Sequence, residues 1–172
     1  MLYPFAKRAG SGMLYIVMFE DVLIRILADW LVIPIVLIGG VAMLLLPSTV
    51  RYERIARGVF AGLVALFLAK LISLLYQGER PFQELGEAPR AAYLNNPGFP
   101  SDHALLVFTI TAIVWASTKN RPLALTLLGL SVLVATGRVV ALVHTPIDVL
   151  GGFACAVAAV LLVYGRKIFT LR

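Results

Sequence analysis

Long apolar runs broken by short polar stretches dominate the chain. A helix needs about 20 mostly apolar residues to cross a bilayer. Five runs approach that length: 30–47 (WLVIPIVLIGGVAMLLLP), 58–77 (GVFAGLVALFLAKLISLLYQ), 103–118, 122–140 and 146–165. The stretch 12–28 (GMLYIVMFEDVLIRILA) is more mixed. Asp21, Arg25 and Asp29 recur at four-residue intervals there, which puts them on one helical face. That pattern fits a helix lying in the membrane interface. It fits equally a sixth span whose polar face is buried against the others. The expected fold is an all-α integral membrane protein, a bundle of five to six transmembrane helices. Residues 1–172 form a single domain in this reading, with 1–29 an amphipathic helix or first span and 30–172 the core bundle.

Composition agrees with the pattern. The chain is 60% hydrophobic with a mean hydropathy of +0.93, whereas soluble domains are about 45–50% apolar. The net charge of +6 does not point to nucleic acid, because the basic residues are scattered at span ends rather than gathered on one soluble face. The lone cysteine, Cys155, excludes an internal disulfide and any multi-cysteine metal site. It reads as a small packing residue. No charged, short-apolar, small-residue leader opens the sequence, so no cleaved signal peptide is expected.

Charge placement sets an expected orientation. Arg51, Arg54 and Arg57 lie between the first two runs, Lys119 and Arg121 between the third and fourth, and Arg166, Lys167 and Arg172 after the fifth. Alternating spans put all three groups on one side, which the positive-inside rule makes cytoplasmic. The other side then carries loops 78–102 and 138–146, both histidines, and Arg80, Arg90 and Arg138. Arginines on the disfavoured face invite a functional explanation. The 78–102 loop is long enough to be functional in its own right.

Three short clusters border that outer face. Glu79-Arg80-Pro81-Phe82 should end the second span near Arg80, since proline cannot continue a helix and constrains the residue before it. In Pro100-Ser101-Asp102-His103, Ser101 is a good N-cap and Asp102 suits a first helical turn. A capped helix start accounts for both residues, but the free N–H groups there also bind phosphate. His103 in that turn could give a proton to a leaving oxygen. In Arg138-x5-His144-x3-Asp148, Thr145-Pro146-Ile147-Asp148 reads as N-cap, proline at the first helical position and an acid at the third. Asp148 is then a capping partner, or a carboxylate that fixes the tautomer of His144. Taken together, two histidines, two arginines and a capped helix start suit phosphoryl transfer to water through a phosphohistidine, with no metal or other cofactor.

This ordered set resembles the three-part signature of the type 2 phosphatidic acid phosphatase superfamily, K-x6-R-P, P-S-G-H and S-R-x5-H-x3-D. The resemblance covers about residues 30–165. It implies His144 as nucleophile, oriented by Asp148, His103 as acid, and Arg80, Ser101 and Arg138 as phosphate holders. Three positions depart from the pattern. Ser73 stands where the family has lysine, Asp102 replaces a glycine, and Gly137 replaces a serine. Lys70 is the nearest lysine and replaces the missing one only if its helix bends, because it lies ten residues before Arg80 and about 15 Å away along a straight axis. Asp102 keeps a backbone N–H for phosphate, while its charge requires a pairing arginine.

P-S-D-H, Tyr76, Phe82, Phe99 and "PIDVLGG" are similar to the bacitracin-resistance branch of undecaprenyl diphosphate phosphatases. That implies hydrolysis of a polyprenyl diphosphate to its monophosphate at the outer face of the inner (plasma) membrane, recycling a cell-wall carrier lipid. The implied partner is the membrane lipid itself, with no nucleic acid and no obligate protein partner. Another lipid phosphatase, acting on phosphatidylglycerophosphate, phosphatidic acid or lipid A, is the alternative within enzymes. A non-catalytic lipid-phosphate binder or transporter is the alternative outside them.

Overall fold

The computed structural model describes residues 11–76, 78–94 and 98–165. Arg166, Lys167 and Arg172, counted above as a basic group, lie outside them. The described chain is all helical: α1 (Ser11–Arg25), a π-helical turn (Ile26–Trp30), α2 (Val32–Leu44), α3 (Ser48–Ser73), the short α4 (Pro81–Glu84), α5 (Asp102–Ser117), α6 (Arg121–Val140) and α7 (Pro146–Tyr164). Among the described residues four helical runs are long and apolar enough to cross a membrane: Tyr15–Leu44, Ser48–Ser73, Arg121–Val140 and Pro146–Tyr164. With the shorter apolar α5 at their centre they form the helical bundle of a multi-pass membrane protein.

The element boundaries differ from the sequence reading in two places. The stretch 12–28 and the run 30–47 are one continuous helical rod, joined through the π turn, where Leu31 N–H bonds Ile26 O at 2.9 Å. The second span runs 48–73, not 58–77. It starts earlier because Arg51, Glu53, Arg54 and Arg57 belong to its first turns, where Glu53 pairs with Arg57 at 2.7 Å. It also ends at Ser73 rather than near Arg80. Leu74 and Leu75 N–H groups fold back onto Leu71 and Ile72 carbonyls, so the chain leaves the helix well before Pro81.

Without water between them, membrane helices attract through close van der Waals contact, which small residues permit. The bundle follows that rule. Gly58, Ala61, Ala65 and Ala69 form the buried stripe of α3, and Gly152, Cys155, Ala156 and Ala159 lie buried on α7, which packs chiefly on α3 and α5. A Cβ on Gly152 would stand 2.8 Å from Ser101 O and 2.9 Å from Leu105 N, so glycine lets α7 touch the start of α5. Deeper down, Ser131 Oγ bonds Thr111 Oγ1 at 2.9 Å and Leu127 O at 2.8 Å, tying α6 to α5.

The bundle has two unlike ends. At one, Arg54 donates to Ala116 O at 3.2 Å, and Tyr164 Oη meets Ser117 Oγ at 3.0 Å, so the basic loops gather there. At the other end meet the start of α5, the end of α6, the turn into α7, the π turn, and the loop around α4.

Candidate active site

Each site residue is placed by local chemistry. Ser101 caps α5, its Oγ accepting from Ala104 N, and its own N–H bonds Asp148 O at 2.9 Å. Thr145 caps α7 with Pro146 in the first turn. Its Oγ1 accepts from Asp148 N at 3.2 Å, and Asp148 Oδ2 accepts from Thr145 N at 2.7 Å. Asp148 is therefore fixed before it does anything else. Between α6 and α7 the chain turns through Leu142 at φ 60. A branched-chain residue pays conformational strain in that left-handed region, and the turn lifts His144 back over the bundle. Phe82 N–H bonds Leu142 O at 3.0 Å, locking α4 to this turn.

The side chains converge around a cavity of about 130 Å³ lined by Arg80, Ala92, Tyr93, Leu94, Asp102, His103, Arg138 and His144. Liquid water occupies about 30 Å³ per molecule, so the space is of a size that suits a phosphoryl group. His144 is buried, with Nδ1 3.6 Å from Asp148 Oδ2 and Nε2 3.4 Å from the Arg80 guanidinium. Nδ1 of His144 thus faces the carboxylate and Nε2 faces Arg80. Arg80 is held in turn by Val143 O at 2.7 Å and Leu94 O at 3.1 Å, with its guanidinium 5.5 Å from the Tyr93 ring centre. Burial depresses the Arg80 pKa, opposed by the charges of Asp148 and Asp102. A guanidinium remains charged through such a shift. Burial likewise pushes the His144 pKa below the ordinary imidazole value. The neighbouring Asp148 carboxylate opposes this, and the two arginines reinforce it. Neutral, nucleophilic imidazole is the result.

Arg138 is 1% exposed. One of its terminal nitrogens bonds Asp29 Oδ1 at 2.6 Å, while its Nε has no hydrogen-bond partner among the described residues. A buried donor in that state lowers its free energy by donating to an oxyanion. Asp102 lines the same cavity from the first turn of α5 with its side chain exposed, and its charge acts on both arginines. Arg138 nevertheless takes Asp29, not Asp102, as its ion-pair partner. Among the described residues no group of three or more metal-binding side chains converges.

The structure thus brings together Arg80, Asp102, His103, Arg138, His144 and Asp148. It keeps Ser101 one layer back: the residue is fully buried, does not line the cavity, and serves the helix start. Lys70 is exposed on α3 and is not among the residues lining the cavity; α3 ends three residues later, at Ser73. Sequence reasoning missed Asp29 and Tyr93 as site residues. The four-residue spacing of Asp21, Arg25 and Asp29 was the available signal for Asp29. Asp21 also faces inward, accepting from Arg90 Nε at 2.8 Å, whereas Arg25 is exposed. Gly137, the departure before Arg138, also finds its reason: a Cβ there would stand 2.8 Å from Ala28 N, so glycine lets α6 seat the π turn.

Comparisons with known proteins agree on one family. The family model of the PAP2 superfamily matches residues 54–167. A similar protein in Escherichia coli (strain K12) is "Putative undecaprenyl-diphosphatase YbjG", 30% identical over 122 residues, an alignment that takes in 70% of this chain and 60% of that protein. The chain therefore matches less than two thirds of the relative's length. No solved structure matches the chain. With the family model covering well over half of its residues, including every histidine and arginine of the cavity, the chain belongs to the PAP2 superfamily.

Proposed function

We propose that the protein is a lipid phosphatase that hydrolyses a polyprenyl diphosphate, undecaprenyl diphosphate by the name of its E. coli relative, through a phosphohistidine. The observation that carries the reading is the His144–Asp148 pair at 3.6 Å, with His144 Nε2 facing Arg80 in a cavity that also holds His103 and Arg138. The terminal phosphoryl group enters that cavity. Arg80, Arg138 and the backbone N–H groups at the start of α5, capped by Ser101, hold its oxygens. His144 Nε2 attacks phosphorus, and the bond to the bridging oxygen breaks. His103 gives that oxygen its proton, releasing the lipid monophosphate. Water then attacks the phosphohistidine, His103 takes the water's proton, and inorganic phosphate leaves with both histidines restored. A membrane-embedded site suits a substrate whose tail stays in lipid. The basic loops at the opposite end of the bundle favour an extracytoplasmic orientation for the site.

The test is phosphate release by the purified full chain in detergent with chelator present. Polyprenyl diphosphate, phosphatidylglycerophosphate, phosphatidic acid and lipid A would be assayed side by side. The diphosphate is expected to give the highest kcat/KM. A higher value on any of the other three lipids would displace the substrate assignment, and binding without turnover of all four would sink the enzymatic reading.

The pH profile has a definite sign. Nucleophilic attack needs neutral His144, so the rate falls as acid protonates it. Burial holds its folded-state pKa below the ordinary value of 6.5, so the acidic limb of kcat/KM should lie below that pH. Because the Asp148 carboxylate raises the pKa, Asp148→Asn should move the limb further toward acid while lowering the plateau. A limb that moves toward alkali in this variant would contradict the assignment.

A further inference from the structure

We infer that Asp29, on the π turn and outside the family-matched residues 54–167, is the positioning carboxylate of His103, making a second histidine–aspartate pair opposite His144–Asp148. The inference rests on the phosphatase reading above, in which His103 is the proton donor.

His103 occupies the first turn of α5, whose N-terminal dipole end repels positive charge, and the buried Arg138 guanidinium lies close by. The charged and titratable groups around it are Asp29 from the rod before α2, Arg138 from α6, His144 from the turn before α7, and Asp102 on its own helix. Among the described residues Asp29 is the carboxylate within ion-pair distance, its Oδ1 3.8 Å from His103 Nε2. That carboxylate is fixed at both oxygens. Oδ2 accepts Ala92 N–H at 3.0 Å, and Oδ1 accepts Arg138 at 2.6 Å, leaving the Oδ1 side turned to His103. The backbone is shaped for this contact. π turns concentrate at functional sites, and this one seats its Ala28 backbone against Gly137, where any Cβ would collide. Asp29 therefore does for the acid what Asp148 does for the nucleophile: it orients the ring and balances the imidazolium charge. The proton that His103 gives to the leaving oxygen returns from the attacking water, so Asp29 never changes its own protonation.

A leaving-group comparison separates this role from simple structural support. The purified full chain in detergent would be assayed with farnesyl diphosphate, whose departing oxygen gains from a proton, and with 2,4-dinitrophenyl phosphate, whose phenolate leaves without one. Wild-type turnover of both, lost in His144→Ala, tests the underlying phosphatase reading separately. In Asp29→Asn, kcat on farnesyl diphosphate is expected to fall at least about tenfold more than kcat on the aryl phosphate, a modest share of a general acid's usual contribution. The alkaline limb of the diphosphate pH profile should also move to lower pH, since His103 loses the carboxylate that favours its protonated form. Asp29→Glu, which keeps the charge and is the variant to rely on if Asp29→Asn fails to fold, should leave the limb in place and retain most of the ratio. Equal slowing on both substrates with an unmoved limb in Asp29→Asn would overturn the inference, as would an Asp29→Asn enzyme that matches wild type on both, or a folded Asp29→Glu enzyme that loses the diphosphate selectively or shifts its limb.

Discussion

His144→Ala is expected to abolish phosphate release, by at least about 10⁴-fold, the scale on which removal of a nucleophile disables a catalytic unit. His144 is buried with Nε2 toward Arg80 and Nδ1 toward Asp148, and no other described nucleophile lines the cavity in that position. His144 lies in the turn between α6 and α7 and belongs to no hydrophobic core cluster, so the variant should keep its fold. A thermal melt close to wild type would separate lost chemistry from lost structure. Because His144 and Asp148 act as one unit, the double variant His144→Ala/Asp148→Asn should be no slower than His144→Ala alone. A further drop in the double variant would mean that Asp148 has a catalytic task of its own.

Arg138→Ala carries the second-largest expected effect, on activity and stability together. Loss of a preorganised donor to a phosphoryl oxygen typically costs about 10²–10³ in rate. Lysine should restore little, since a point charge on a flexible stem does not reproduce a fork held on Asp29. The stability effect follows from the same ion pair at 2.6 Å. Removing one partner of a buried pair leaves the other charge uncompensated, which costs about 3–5 kcal/mol when both are fully buried. Asp29 is 21% exposed, so the lower part of that range or less applies. Adding Asp29→Asn to Arg138→Ala should therefore recover part of the lost Tm. Additive losses in that double-mutant cycle would show that the pair contributes no coupling.

What the sequence made legible was local. A serine, threonine or proline at a helix start announces itself within four residues, and the capped starts of α5 and α7 follow those rules. The spans were legible because apolar runs of bilayer length have few other uses, and the helical membrane bundle was read from them directly. The failures were non-local. Nothing near Lys70 says that its helix ends at Ser73, early enough for the chain to carry Arg80 to the cavity without it. Charged residues hid the first turns of α3, because a hydropathy run marks where lipid contact begins and not where the helix does. Asp29 was visible as one member of a polar stripe, but its partners lie 63 and 109 residues away for Ala92 and Arg138. Only the π turn and the bare backbone face of Gly137 bring them into contact. Gly137 itself looked like a lapse from the family pattern and is the space into which the first rod fits. Asp102 remains the charge that the family pattern does not contain. It lines the same cavity as Arg80 and Arg138, and its charge acts on both.

The central claim, a covalent phosphohistidine at His144, is open to direct trapping. The full chain would be mixed with a prenyl diphosphate carrying radiolabelled phosphorus in its terminal group, quenched in alkali within milliseconds, and digested. Alkali-stable, acid-labile label is expected on the peptide containing His144, chased away by excess unlabelled substrate and missing from His144→Ala. Steady turnover with no label on the chain, or label that persists in His144→Ala, would contradict it.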